Sequence, residues 1–234
     1  LSSSAAKRFW ILADDWLLPE SIQNRLAALD EFPAAIWIGG DFDEQMRDGK
    51  LLPEGRFERN LENYSFLKPA FHPLRKPLLL RRPLQPFLSN APTNTITGLL
   101  KREAFMALGG YSAQLLRQQD YHLFLRLAAS HDFIFVPQKV ARVRHHANNS
   151  TRSITETQSW RVKALSALRP LPEFEAHRDE ITTKIASLHV DNSYHHRRDG
   201  HYLKAATEAL RALRTRPWNL TAWRSLLASA IRRN

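Results

Sequence analysis

The segment Phe9–Glu20, FWILADDWLLPE, constrains the fold more than any other stretch of the chain. Four apolar residues, Phe9 to Leu12, run directly into two adjacent acids, Asp14 and Asp15. Pro19 then leads into SIQNRLAALDEF, whose apolar positions repeat with helical spacing. The pattern predicts a buried strand ending at a carboxylate pair, then a helix over Glu20 to Leu29 that opens on Pro19. Proline suits that position, because the first N–H of a helix has no partner to lose. A strand joined to a helix by so short a link is the unit of an α/β fold. Ligands of open α/β sheets bind outside the carboxyl ends of the strands. Asp14 and Asp15 therefore stand where acids can hold a divalent cation against a diphosphate. Taken alone, the pair suits an ordinary turn equally well, since Asp side chains satisfy turn backbone.

Further along, AAIWIGG predicts a second buried strand, Ala35 to Ile38, and Gly39-Gly40 leads to a second acidic pair, Asp41 and Asp43. That pair reads as a solvated turn, with metal binding as the alternative. Residues 48–63 are polar and irregular. Lys68 to Asn90 holds five prolines, five Lys or Arg and no acid. The prolines exclude a long helix and argue against a central strand. This stretch is a basic lid over a phosphate ligand, a segment lying on an anionic membrane, or a stiff connection whose leucines cover the core. Thr93 to Leu100, rich in β-branched residues, predicts a strand. Lys101 to Leu108 predicts a short helix stopped by Gly109-Gly110. Asp120 precedes a second helix, YHLFLRLAAS; DFIFVP and VARVR predict two short strands; HHANNSTRS is a polar loop.

From Glu156 onward the pattern is helical. The spacing of Gly200, Tyr202, Ala205, Ala209, Ala212 and Pro217 resembles one tetratricopeptide-type hairpin, and a single copy predicts a capping hairpin, not a solenoid. Trp218, Trp223, Leu226 and Leu227 are expected to supply its packing face.

Composition removes several classes of function. The 234 residues contain no cysteine, which excludes disulfides, thiolate metal sites and a cysteine nucleophile, and fits a reducing compartment. No apolar run approaches the ~20 residues that cross a bilayer. The net charge of +11 favours acidic partners such as phosphate-bearing substrates or an anionic membrane face. Nucleic acid is not expected, because no helix-turn-helix, zinc or RNP pattern accompanies the charge.

Four motifs in order give the chain a family likeness: ILADDWLLPESI, LLKREAFMALGGYSAQL, RQQDYHLFLRLA and VRHHANNS. Together they resemble the second half of a family 2 glycosyltransferase of the GT-A fold, over roughly residues 5 to 152. The resemblance implies an α/β, Rossmann-like GT-A domain over residues 1–152, whose first strand–helix units precede Leu1, and an α-helical extension over residues 153–234. It implies inverting transfer of a sugar from a nucleotide-diphosphate sugar donor to a hydroxyl acceptor. That acceptor is a glycan or lipid-linked molecule in polysaccharide, glycolipid or glycoprotein synthesis at the cell envelope. The expected location is the cytoplasm, peripheral to the inner face of the plasma membrane.

By the same resemblance, Asp15 is the metal ligand for Mn2+ or Mg2+, assisted by His146. Asp14 lies near the nucleotide ribose or the metal's water shell, Arg144 contacts the diphosphate, and Asp120 is the catalytic base. Two positions depart from the family pattern: Leu12 stands where many relatives carry a further acid, and Gln119 stands where Glu is usual. These departures motivate the alternative, a catalytically inactive GT-A-like module that recruits partners.

Overall fold

The computed structural model describes residues 7–8, 15–146 and 153–230; the expected strand at Phe9–Leu12 and Asp14 lie outside the described residues. The architecture is mixed α/β. By its contacts the chain divides into two compact units, residues 1–111 with 123–149, and residues 112–122 with 150–234.

The first unit is built on a six-stranded mixed sheet among the described residues: β1 (Lys7–Arg8), β2 (Trp16–Leu17), β3 (Trp37–Gln45), β4 (Leu78–Leu80), β5 (Leu99–Lys101) and β6 (Phe133–Arg144). Its order is β1-β5-β3-β6-β2, with β4 also on β6. Only β3 and β6 run parallel; every other pairing is antiparallel. One edge of β6 carries β3 along its length, and the other carries β4 near its start and β2 near its end.

Several expectations are corrected here. Helix α1 (Ser21–Glu31) begins after Pro19, because Glu20 takes a left-handed conformation at φ 60° that no helix continues. DFIFVP and VARVR are one strand, β6. Proline inside a strand needs a bulge, and the register against β3 does slip between Val136 and Lys139, around Pro137. Residues 93–98 are a turn, not a strand. The Asn94 carboxamide oxygen accepts the Thr97 N–H at 3.0 Å, and the Thr97 hydroxyl oxygen accepts the Asn94 N–H at 3.0 Å. These local bonds outcompete a ladder. Arg25, fully buried on α1, pins the turn by donating to the Thr97 carbonyl at 2.8 Å. Burial pushes its guanidinium pKa down to about 10.

The basic 68–90 stretch forms α2 (Lys68–Phe71), the short edge strand β4 and α3 (Leu84–Ser89), so its prolines fall between elements or in their first turns. Part of its apolar set faces inward: Phe71, Leu84, Phe87 and Leu88 are buried, whereas Leu74 is exposed. The core gathers on Trp37, whose ring lies 4.4 Å from Phe133 and 5.7 Å from Phe124 between centroids, with Phe87 edge-on at 5.8 Å. Helix α4 (Arg102–Ala107) ends as its Gly-Gly predicts. Gly109 and Gly110 take φ of 75° and 72°, and the Gly110 N–H returns to the Phe105 carbonyl at 2.9 Å.

The second unit holds the start of α5 (Gln119–Ser130), then α6 (Ile154–Leu168), α7 (Arg178–Arg198), α8 (Tyr202–Thr215) and α9 (Leu220–Ala230). Ser153 caps α6 by accepting the Glu156 N–H at 3.2 Å. Gly200, at φ 77°, ends α7, and the small residues Ala205, Ala209 and Ala212 are fully buried where α8 lies against its neighbours. The expected packing face on α9 is corrected. Trp218 is 93% exposed and Leu227 63% exposed; Trp223 is also exposed, and only Leu226 packs inward. Among the described residues no helix is long and apolar enough to cross a membrane.

Candidate functional site

The parallel pair β3 and β6 ends on one side of the sheet at Gln45 and Arg144, which are register partners. Strand β2 runs antiparallel to β6, with Trp16 opposite Arg142, so the residue before it, Asp15, arrives at this same end. There the backbone N–H of Arg144 donates to Asp15 Oδ1 at 3.1 Å, and Asp15 is buried. The His145 N–H continues the ladder by donating to the Gln45 carbonyl at 2.8 Å. The carboxyl edge therefore brings together Asp15, Arg144, His145 and His146. The Arg144 side chain is exposed, and His146 is partly exposed.

Behind this edge lie two acids whose role the sequence reading missed. Asp43 is buried in β3 and accepts Lys139 Nζ at 2.8 Å and an Arg142 nitrogen at 3.2 Å. Glu44, with 7% of its side chain exposed, accepts Arg59, Arg56 at 3.4 Å and His145 Nε2 at 2.9 Å. Arg142 also lies over the Trp16 ring, 5.6 Å from its centroid. Two buried carboxylates thus orient five basic side chains around one end of the sheet. The result is a preorganised, positively weighted edge of the kind that receives an anion. The sequence carried a signal: acids in DFDEQ and bases in KVARVR alternate in matching order, and Asp43 and Arg142 prove to be register partners.

Asp41 is neither a solvated turn residue nor a metal ligand. It is fully buried, and its carboxylate accepts three backbone N–H groups, from Phe42 and Phe57 at 2.8 Å each and from Glu58 at 3.1 Å. It anchors the loop that returns from β3. Burial pushes its pKa up, against the pull of those three N–H donors.

Asp120 belongs to the second unit, at the first turn of α5. It accepts the Tyr121 N–H at 2.8 Å, and Gln119 turns its amide onto the Leu115 carbonyl. Gln118, at φ 59°, precedes the helix and accepts Arg161 Nε at 3.1 Å. Arg161 also lies over the Tyr121 ring at 5.2 Å; burial pushes the Tyr121 hydroxyl up to about 12 despite that nearby cation.

Among the described residues no group of three or more His, Asp or Glu side chains is arranged to hold a metal. Of the two expected metal ligands, Asp15 accepts the Arg144 N–H, and His146 follows two residues beyond that partner in the chain.

No family model matches the chain, and no curated protein matches it.

Proposed function

We propose that the chain is a glycosyltransferase of the GT-A, family 2 type. In this reading it moves a sugar from a nucleotide-diphosphate donor to a hydroxyl acceptor with inversion, in cell-envelope glycan synthesis near the inner face of the plasma membrane. The observation that carries the reading is the Asp15–Arg144 contact, which sets a buried acid at the carboxyl edge of the parallel pair, among basic groups. An anionic diphosphate gains from exactly oriented cations more than from mobile ones, because less ordering remains to be done on binding.

Asp15 and His146 would hold the divalent cation, which when bound neutralises charge on the departing diphosphate as a Lewis acid. Arg144, whose side chain is exposed at that edge, pairs with the diphosphate, and Asp14, which is outside the described residues, is assigned to the ribose or the metal's water shell. Asp120 takes the proton from the acceptor hydroxyl as it attacks the anomeric carbon. The Tyr121 N–H on Asp120 orients the carboxylate.

The second reading, a binding module without turnover, draws on Gln119. The residue standing in place of the usual Glu spends its amide on the Leu115 carbonyl. One titration separates the two. Donor sugar nucleotides are titrated into the full chain with and without manganese, and turnover is followed in parallel. The enzyme reading requires metal-dependent binding that Asp15→Ala abolishes, and turnover that Asp120→Asn abolishes while donor binding survives. Binding without turnover in the unsubstituted chain favours the module.

A further inference from the structure

Helix α9 is built inside out for a helix with a free surface. Its inward positions are small or polar: Ala222, Ser225 and Ser229 are buried. Its outward positions are large and apolar: Leu220 is 71% exposed and Leu227 63% exposed, with Trp223 beside them. In the turn before it, Trp218 stands 93% exposed. An amphipathic helix on a protein surface normally shows the reverse.

Helix α8 continues this surface. Leu203 and Leu210, seven residues apart, are exposed on the side away from its buried alanines. Leu203 borders a cleft of about 570 Å³ with His201, Tyr202 and Lys204 at the start of α8 and with Ser229 and Ala230 at the end of α9.

Charge decides what covers the face. Residues 200–230 contain five basic residues, Lys204, Arg211, Arg214, Arg216 and Arg224, and a single acid, Glu208. That acid is buried and taken up by His189 at 2.7 Å and Arg211 at 2.5 Å. Arg216 pairs with Asp179. Lys204, Arg214 and Arg224 have no ion pair among the described residues. A second copy would set these cations against themselves. A protruding indole such as Trp218 suits a headgroup layer, where an amphipathic ring sits between water and acyl chains. Exposed Leu and Trp ringed by unpaired Lys and Arg is the pattern of a helix lying in an anionic membrane interface.

We propose that the outward face of α8 and α9 docks on an anionic lipid surface, inserting Trp218, Leu220 and Leu227 while Lys204, Arg214 and Arg224 engage lipid phosphates. This rests on the second unit alone and stands whether or not the chain transfers sugar. The test is co-sedimentation of the full chain with vesicles of phosphatidylcholine alone and of phosphatidylcholine with phosphatidylglycerol. Binding is expected to the anionic vesicles only, with release by salt and a blue shift of tryptophan emission. R214Q/R224Q is expected to weaken it roughly 25-fold, about fivefold per cation. W218A/L220S is expected to weaken it roughly tenfold or more, with an unchanged circular dichroism spectrum because both side chains are exposed. Equal binding to neutral vesicles, or unweakened binding by both variants, overturns the proposal. So does a dimer by light scattering that W218A/L220S dissociates. Binding to soluble polyglutamate without binding to vesicles overturns it in favour of an acidic partner protein.

Discussion

The Arg144 N–H donates to Asp15 Oδ1 across 3.1 Å, tying the residue before β2 to the last residue of β6. The donor is backbone, so a side-chain substitution at Arg144 keeps this hydrogen bond. The two residues can therefore be separated by mutation.

Arg144→Ala should leave stability within about 0.5 kcal/mol of the parent, as for an exposed side chain. It should weaken binding of a nucleoside diphosphate about tenfold, the scale of a lost charged hydrogen bond. Asp15→Ala should lower stability by about 1 kcal/mol through the orphaned N–H and remove any manganese dependence of binding. Urea denaturation and calorimetric titration on the same samples check both.

Glu44 and its partners should respond unequally. Glu44→Ala strands Arg59 and His145 around a buried site and should cost about 2 to 3 kcal/mol. Arg56, with 45% of its side chain exposed, should cost under about 1 kcal/mol when replaced by alanine. The denaturant midpoints of the two variants give the order, and a larger loss for Arg56→Ala would contradict the geometry.

Asp41 and Gly55 form a lock. A Cβ on Gly55 would fall 2.1 Å from Asp41 Oδ2, the oxygen that receives the Glu58 N–H. Gly55→Ala should lower stability by about 2 to 3 kcal/mol by overpacking. Gly49→Ala meets no neighbour but sits at φ 84°, and should cost only about 1 kcal/mol from backbone strain. Thermal melts of the pair distinguish the two mechanisms.

Glu208 and Asp41 should contribute to acid stability with opposite sign. Burial raises the Glu208 carboxyl, but the hydrogen bond and charge of His189 and the charge of Arg211 outweigh it and hold the pKa below the ordinary 4.5. A lowered pKa gives stability that is present above 4.5 and lost as pH falls through the folded value. Asp41 is raised above 3.8, so its contribution is full below 3.8 and is lost as pH rises through the folded value. Glu208→Gln should therefore flatten the acid loss of helical signal, and lower stability at neutral pH by about 1 to 2 kcal/mol. Circular dichroism against pH measures both; an unchanged acid limb would show that Glu208 does not set it.

How far the chain could be read depended on how local each interaction is. The Gly-Gly stop of α4 and the helical tail were legible, since caps and helical periodicity involve residues a few positions apart. Thr93–Gly98 misled because β-branched composition suggests a strand, while Asn94 and Thr97 bond to each other's backbone and close a turn; only Leu99 and Leu100 of the expected strand are one. At the candidate site, Asp15 and Arg144 were singled out separately, but their contact spans 129 positions. Glu44 was passed over because its partners Arg56, Arg59 and His145 reach it only across loops and a neighbouring strand.

By itself, then, the sequence determined the helices marked by caps and helical periodicity, and that a basic, cysteine-free α/β chain results. Tertiary structure alone decided that β6 runs unbroken past Pro137, that Asp41, Asp43 and Glu44 are buried, and that the tryptophan of the α8–α9 turn points outward. The reason is physical. Burial, register and ion pairing are set by which distant strand or helix arrives alongside, and no short window of residues contains that partner.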